Sequence, residues 1–274
     1  MMERVRRVER LVSLTKILID RPHHLFPYSY FCEKFKIAKS TLSEDMAVIK
    51  SSLINEGLGL LETVPGSGGG VCYIPDSMDA DDYRFLQKVA KKLSTSDRIL
   101  PGGLIYMTDV LCDPHIVSRL GEIMMKRMYR LKPDCVMTVE TRGIPLALLV
   151  ARAFNVPLVM ARHGSFVTEG SSVSINYVSG SSKTIQTMAM PKRALYAGER
   201  VLIVDDLMKG GGTAHGLIKL AEELGAQVVG KAFLIEAIEP EKKIINDYVA
   251  LLRLYKIDEV NMRIDIRPIR EVKP

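Results

Sequence analysis

The sequence predicts an α/β protein in two domains: a winged helix over residues 1–75 and a larger domain over 76–274 built on a mainly parallel sheet. Three observations predict it. Three short helical patterns lead into a glycine-tipped hairpin. Beyond Pro75, apolar strand-like runs alternate with amphipathic helical patterns. One of those runs, Val201 to Val204, ends in two aspartates and a glycine-rich loop. A chain of 274 residues has room for a medium domain and a smaller one, and 47% hydrophobic residues support a packed core.

The first helix is expected from about Arg4 to Ile19, with Val5, Val8, Leu11 or Val12, Thr15 and Leu18 on one face and Pro22 closing it. A second covers about Ser29 to Phe35 and carries Tyr30, Phe31 and Phe35. The third starts at Ser40 or Thr41, where Thr41-Leu-Ser-Glu44 fits a capping box: the hydroxyl serves a free backbone N–H and the carboxylate reaches back. Leu42, Met46, Ile49 and Leu53 then form a buried stripe. The other face shows Ser40, Thr41, Ser43, Glu44, Ala47 and Lys50, small or polar as an approach to base edges requires. Leu60–Val64 and Val71–Ile74 read as strands around the turn Pro65–Gly70.

In a winged helix the third helix enters the major groove and the wing flanks the phosphates. The candidate double-stranded DNA contacts are therefore Arg6, Arg7, Lys39, Ser40, Thr41, Ser43, Lys50 and the wing residues Gly66, Ser67 and Gly68. The electrostatic case is weak, because residues 1–75 hold ten Lys and Arg against eight Asp and Glu. Arg4, Arg6, Arg7 and Arg10 nevertheless cluster at the start. Winged helices also serve as protein-interaction modules, and that alternative stays open.

A linker over Pro75–Asp79 leads to a helix expected from about Asp81 to Lys92, with Phe85, Leu86, Val89 and Leu93 on one side. The longest apolar stretch, Ile144 to Val156, is broken by Pro145 and Arg152, so no segment is expected to span a membrane. The start lacks the apolar region of a signal peptide, and Cys32, Cys72, Cys112 and Cys135 form no CxxC pair. A cytoplasmic chain with reduced, buried thiols and no zinc site is expected.

The segment Glu199 to Gly216 carries the chemistry. Val201–Val204 reads as a buried parallel strand with Asp205 and Asp206 at its carboxyl end. Lys209-Gly-Gly-Gly-Thr213 follows, and a helix begins near Thr213. Ligands of open α/β sheets bind outside the carboxyl ends of strands. The loop and helix N-terminus offer free N–H groups and partial positive charge to a phosphate. Two aspartates beside a phosphate site would repel it unless they accept hydrogen bonds from sugar hydroxyls, with Lys209 or a divalent cation offsetting their charge. A phosphorylated ribose satisfies both demands.

This segment resembles the phosphoribosyl diphosphate (PRPP) motif of type I phosphoribosyltransferases. The resemblance implies that Asp205 and Asp206 hold the ribose hydroxyls and that Lys209, Gly210, Gly211, Gly212 and Thr213 surround the 5′-phosphate. Val136-Met-Thr-Val-Glu-Thr-Arg-Gly143 resembles the family's diphosphate loop, which adds Glu140, Thr141, Arg142 and Gly143. The polar stretch Arg162–Met190 stands where the family has a mobile hairpin. Tyr106, Arg162, Tyr177 and Ser179 are the candidate lid or base contacts. No metal ligand set is expected from the protein, and Mg²⁺ would arrive with PRPP. Lys209 stands where many purine enzymes of this class have a small residue or an acid acting as base, which points away from catalysis.

The whole chain resembles the purine operon repressor family of Gram-positive bacteria. The residues that carry this are Ser40-Thr-Leu-Ser-Glu-Asp-Met46, Thr63-Val-Pro-Gly66, Tyr106-Met-Thr-Asp109, Gly143-Ile-Pro-Leu-Ala147, the polar string from Val167 to Ser182, and Asp205–Thr213. Gly210, His163 and Gly164 depart from the family pattern. The resemblance implies a homodimeric, non-enzymatic DNA-binding repressor of purine biosynthesis and transport genes. PRPP would be the effector relieving DNA binding, with guanosine tetraphosphate or pentaphosphate competing for its pocket. The alternatives are an active purine phosphoribosyltransferase with a regulatory N-terminal part and a PRPP-dependent activator.

Overall fold

The computed structural model describes residues 5–66, 68–76, 79–164, 170–178 and 184–270. They fall into two units divided at Asp79–Ala80, with Arg152–Asn155 counted in the first.

In the first unit α1 (Arg7–Asp20), β1 (Phe26–Pro27), α2 (Tyr28–Phe35), α3 (Lys39–Asn55), β2 (Leu60–Val64) and β3 (Gly70–Ile74) make a three-helix winged helix. Its antiparallel sheet has the order β1-β3-β2. The stripe Leu42, Met46, Ile49 and Leu53 is buried as its four-three-four spacing predicts. It packs with Leu14, Leu18, Phe26, Phe31 and Phe35 into one core, and each such side chain contributes about 1.5–3 kcal/mol on burial.

Two local expectations are corrected. On α1 the buried positions are Arg10, Leu14 and Leu18, while Val8 and Val12 are exposed. Arg10 goes inside because fully buried Asp45 on α3 receives its Nε at 2.6 Å, and an internal carboxylate needs a counter-charge. The capping box at Thr41 does not form. The helix already begins at Lys39, preceded by Ala38 without a side-chain cap, and the Ser43 hydroxyl donates back to the Lys39 carbonyl at 2.9 Å. The left-handed Lys36 (φ 51°) closes α2 and turns the chain toward α3.

The second unit runs α4 (Asp79–Leu93), β4 (Ile99–Leu100), β5 (Leu104–Ile105), α5 (Thr108–Leu111), α6 (Pro114–Met128), β6 (Cys135–Val139), α7 (Ile144–Phe154), β7 (Leu158–His163), β8 (Ser172–Val178) and β9 (Ile185–Pro191). It continues with β10 (Arg200–Met208), α8 (Gly212–Glu223), β11 (Gln227–Ala237), β12 (Val249–Asp258) and β13 (Arg263–Pro268). An eight-stranded sheet has the order β13-β12-β11-β10-β6-β7-β9-β8. The inner strands β12, β11, β10, β6 and β7 are parallel, and β13, β9 and β8 are antiparallel. Strands β6 and β10 are buried almost throughout, as expected of apolar runs covered on both faces.

Helix α4 packs on α6 through Asp82, buried and in ion pairs with Arg119 (2.9 Å) and Lys126 (3.2 Å). Helix α6 starts cleanly: Asp113 accepts from the N–H groups of His115 and Ile116, and Pro114 takes the first position. Cys72 and Cys135 are buried, but Cys112 is exposed, against the expectation of four packed thiols.

Candidate effector pocket

The sheet order fixes where a ligand fits. From β6 the chain crosses to β7 on one side, and from β10 to β11 on the other, so the connections diverge between β6 and β10. A crevice opens at such a switch point beyond the carboxyl ends of the strands. Asp205 and Asp206 lie there on β10, both buried, and the strand continues past them to Met208 rather than stopping at Val204. Asp205 Oδ1 accepts the Asp206 backbone N–H at 2.8 Å. Burial, reinforced by the Asp206 charge, pushes the Asp205 carboxyl well above the usual carboxylate range.

After β10 the loop turns through Gly211, whose φ of +88° is left-handed and serves as the N-cap of α8. A side chain there would also press on Met208 Cε at 2.9 Å. The Gly210 carbonyl accepts the Ile244 N–H at 3.0 Å, which ties the loop to the segment before β12.

From β6 the second loop approaches the same aspartates. A Cβ at Gly143 would run into Asp205 Oδ1 and lie 2.8 Å from Thr138 Oγ1, so only glycine admits this approach. Arg142 Nε lies 2.8 Å from Asp206 Oδ2. The contact is an ion pair without hydrogen-bond alignment, since Asp206 Oδ2 and Thr138 Oγ1 are both buried with no hydrogen-bond partner.

These groups line a cavity of about 620 Å³: Asp205, Asp206, Lys209, Gly210, Gly211, Gly212, Thr213 and Arg142. Glu140, Thr141 and Gly143 are not among its walls. Glu140 Oε1 instead accepts the His163 N–H at 2.6 Å, at the end of β7. Among the described residues no group of three or more His, Cys, Asp or Glu is arranged to hold a metal. No helix among them is long and apolar enough to cross a membrane.

The far wall is apolar and was not read from the sequence. It is made by Leu104, Ile105 and Met107, with Phe233, Ile238 and Leu254. The sequence reading chose Tyr106, but its side chain is exposed while neighbouring Met107 is buried and lines the cavity. Met107 is the N-cap residue of α5, and the Tyr106 ring before it stands 5.9 Å from the Arg98 guanidinium instead. The hairpin β4–β5 bearing this wall is clamped at its base by a bidentate contact of Arg98 with Asp109, both distances 2.7 Å, which holds the Asp109 carboxyl down at about 2. The alternating Phe233, Ile235 and Ala237 on β11 were the one available signal.

Tyr177 stands behind the loop. It is buried against Gly216 of α8, and its hydroxyl donates to Gln186 Oε1 at 2.7 Å. The stretch expected as a lid is built into the sheet as β8 and β9. Arg162 is the last residue but one of β7, half-buried and paired in register with Ala189. Ser179 and most of the polar string before and after β8 lie outside the described residues, as does Ser67 of the wing. In the first unit Arg6, Arg7, Lys39, Ser40, Ser43, Lys50, Gly66 and Gly68 are exposed and Thr41 is half-buried. Arg7 also reaches Asp45 at 3.2 Å.

Fold and site together define a class: a winged helix joined to a domain of phosphoribosyltransferase type. Residues 6–75 match the family described as bacterial purine repressor, N-terminal, and residues 114–264 match the phosphoribosyl transferase domain. The chain is 45% identical over 262 residues to the purine biosynthesis transcriptional repressor PurR of Bacillus subtilis (strain 168), covering 96% of this chain and 92% of that one. It is 39% identical over 263 residues to the purine biosynthesis transcriptional activator PurR of Lactococcus lactis subsp. lactis (strain IL1403), covering 96% and 97%. Its structure is similar to adenine phosphoribosyltransferase from Thermoanaerobacter pseudethanolicus, with a TM-score of 0.53 and 26% identity over 61% of this chain and 99% of that one. The chain belongs to the bacterial purine repressor family, a family of purine-biosynthesis transcription regulators.

Proposed function

We propose that this protein is a homodimeric repressor that binds double-stranded DNA upstream of purine biosynthesis and transport genes and releases it when PRPP fills the β6/β10 pocket. The observation that carries the reading is the convergence of Asp205, Asp206, the Gly210–Thr213 loop and Arg142 on one cavity. The 5′-phosphate rests on Gly211, Gly212 and Thr213 at the start of α8, where free N–H groups and the helix dipole favour an anion. The ribose hydroxyls donate to Asp205 and Asp206, and the diphosphate meets the loop Thr141–Gly143. Mg²⁺ would arrive with the ligand and offset part of its charge, and Lys209 adds positive charge. The apolar wall suits a planar base, which is how guanosine tetraphosphate or pentaphosphate would compete for the same space.

Occupancy and DNA binding are linked reciprocally: if PRPP weakens DNA binding, DNA weakens PRPP binding by the same factor. A coupling of about 1–3 kcal/mol corresponds to about 5- to 150-fold. The pocket binds without turnover, because the loop presents Lys209 where a catalytic acid or base would be needed. The test is a salt-controlled titration of an upstream purine-gene fragment with and without PRPP–Mg²⁺, alongside Asp205→Ala/Asp206→Ala. The variant is expected to bind DNA and ignore PRPP, and a variant that still releases DNA normally would remove the site assignment. Incubation with PRPP and radiolabelled purine bases is expected to yield no nucleotide.

A second reading is activation, favoured by the Lactococcus relative named an activator. A reporter in a deletion strain separates the two by the sign of the effect.

A further inference from the structure

The acidic pair of the pocket already has a cation, and the chain supplies it. Arg142 Nε stands 2.8 Å from Asp206 Oδ2. The Asp206 side chain is only 7% exposed, while that of Arg142 is 46% exposed and borders the cavity. The guanidinium reaches in from the water side over a carboxylate that ribose hydroxyls must engage. Its unaligned geometry leaves Asp206 Oδ2 without a hydrogen bond, so the guanidinium sits on that oxygen as a counter-charge that a hydrogen-bonding hydroxyl has to displace. Asp205, packed against Gly143 and bonded to the Asp206 N–H, has no comparable freedom to turn away.

We propose that Arg142 is a specificity-determining residue, selecting ligands that carry both a ribose and a diphosphate over sugar phosphates that carry the ribose alone. This rests on the pocket reading given above. A ribose entering the site must take Asp206 from Arg142, and the displaced guanidinium is then a cation without its partner at the mouth of the cavity. A diphosphate on the adjacent loop gives it a new anion, because Arg142 and Gly143 belong to that loop. Ribose 5-phosphate displaces the same contact and offers nothing in exchange. Lys209 and Lys256 also border the cavity, but neither belongs to the loop that must trade one anion for another.

The prediction is a response of opposite sign in two ligands. In calorimetric titrations of the full chain, Arg142→Gln is expected to bind ribose 5-phosphate roughly two- to fivefold more tightly, because no part-exposed ion pair has to be displaced, and PRPP–Mg²⁺ about tenfold more weakly, because a charge-assisted hydrogen bond to the diphosphate is worth at least that factor. Inorganic diphosphate is expected to weaken with PRPP. Arg142→Lys keeps a cation over Asp206 and is expected to hold ribose 5-phosphate near its wild-type affinity, with melting curves confirming that both variants fold. If ribose 5-phosphate affinity stays unchanged or falls together with PRPP in Arg142→Gln, Arg142 is an ordinary anion contact and the proposal is wrong. If the wild-type chain binds neither PRPP nor ribose 5-phosphate, the pocket reading itself fails first. Wild-type PRPP binding with parallel losses in the variant sinks only the exchange.

Discussion

Asp45 in the winged helix and Asp206 in the sheet unit are both buried carboxylates facing an arginine, yet the two pairs are built differently. Arg10 is itself inside, its side chain 7% exposed, and it donates an aligned hydrogen bond to Asp45. Arg142 is half in water and makes contact without alignment. A closed pair of the first kind holds α1 to α3 and leaves nothing for a ligand to take. An open pair of the second kind can change partners. Burial of a charge therefore does not by itself mark a functional site, and the exposure of its counter-ion separates the two cases.

Breaking the closed pair gives the largest expected effect. Asp45→Ala strands Arg10 in the core of the first unit and is expected to remove about 3–5 kcal/mol of that unit's stability. Urea unfolding should show it, with DNA binding lost and PRPP binding by calorimetry retained. A loss below about 1 kcal/mol would erase the distinction between the pairs.

Gly143→Ala pushes the loop after β6 off Asp205 and Thr138. Overpacking of this kind costs about 1–3 kcal/mol, so PRPP affinity should fall roughly 5- to 150-fold with operator affinity unchanged. Wild-type PRPP affinity in this variant would show that the close approach is dispensable.

Asp206→Asn removes the charge that adds to burial in raising Asp205. With the Asp205 pKa raised in the folded state, that state holds a proton which the unfolded chain has released, so stability falls as pH rises from about 4 toward the raised value. Asp206→Asn should narrow that pH window from its upper end and so raise stability toward neutral pH, while PRPP release of DNA is lost. An unchanged window in thermal melts of the two proteins would deny the coupling.

Lys39→Ala, at the exposed start of α3, is the smallest change expected. Its log–log salt dependence of DNA affinity should flatten by about 0.9, one phosphate contact. An unaltered slope takes Lys39 off the list of contacts.

The same contrast explains what the sequence could reveal. The stripe on α3 was legible because four apolar residues recur at helical spacing and all go inside. The face of α1 was not, because a periodicity reading favours Val8 and Val12 over an arginine, and Arg10 is buried only by virtue of Asp45, 35 residues away. The capping box at Thr41 fitted local chemistry, but the αL turn at Lys36 delivers the chain into the helix two residues earlier. In the pocket, the acidic pair and glycine loop were legible because one strand–loop–helix carries them. The apolar wall was not, since β5, β11 and β12 contribute to it from far apart in the chain. Tyr106 was chosen over Met107 because backbone direction, not residue type, decides which of two neighbours faces inward.

The divergence of the chain between β6 and β10 has a consequence for descent. The loop that would grip one end of an effector and the loop that would grip the other hang from adjacent strands, but they lead into separate crossovers. A substitution in one crossover can loosen its own half of the grip and leave the other half as it was. If the cavity holds an effector, its selectivity could then change at one end at a time, without first rebuilding the whole cavity.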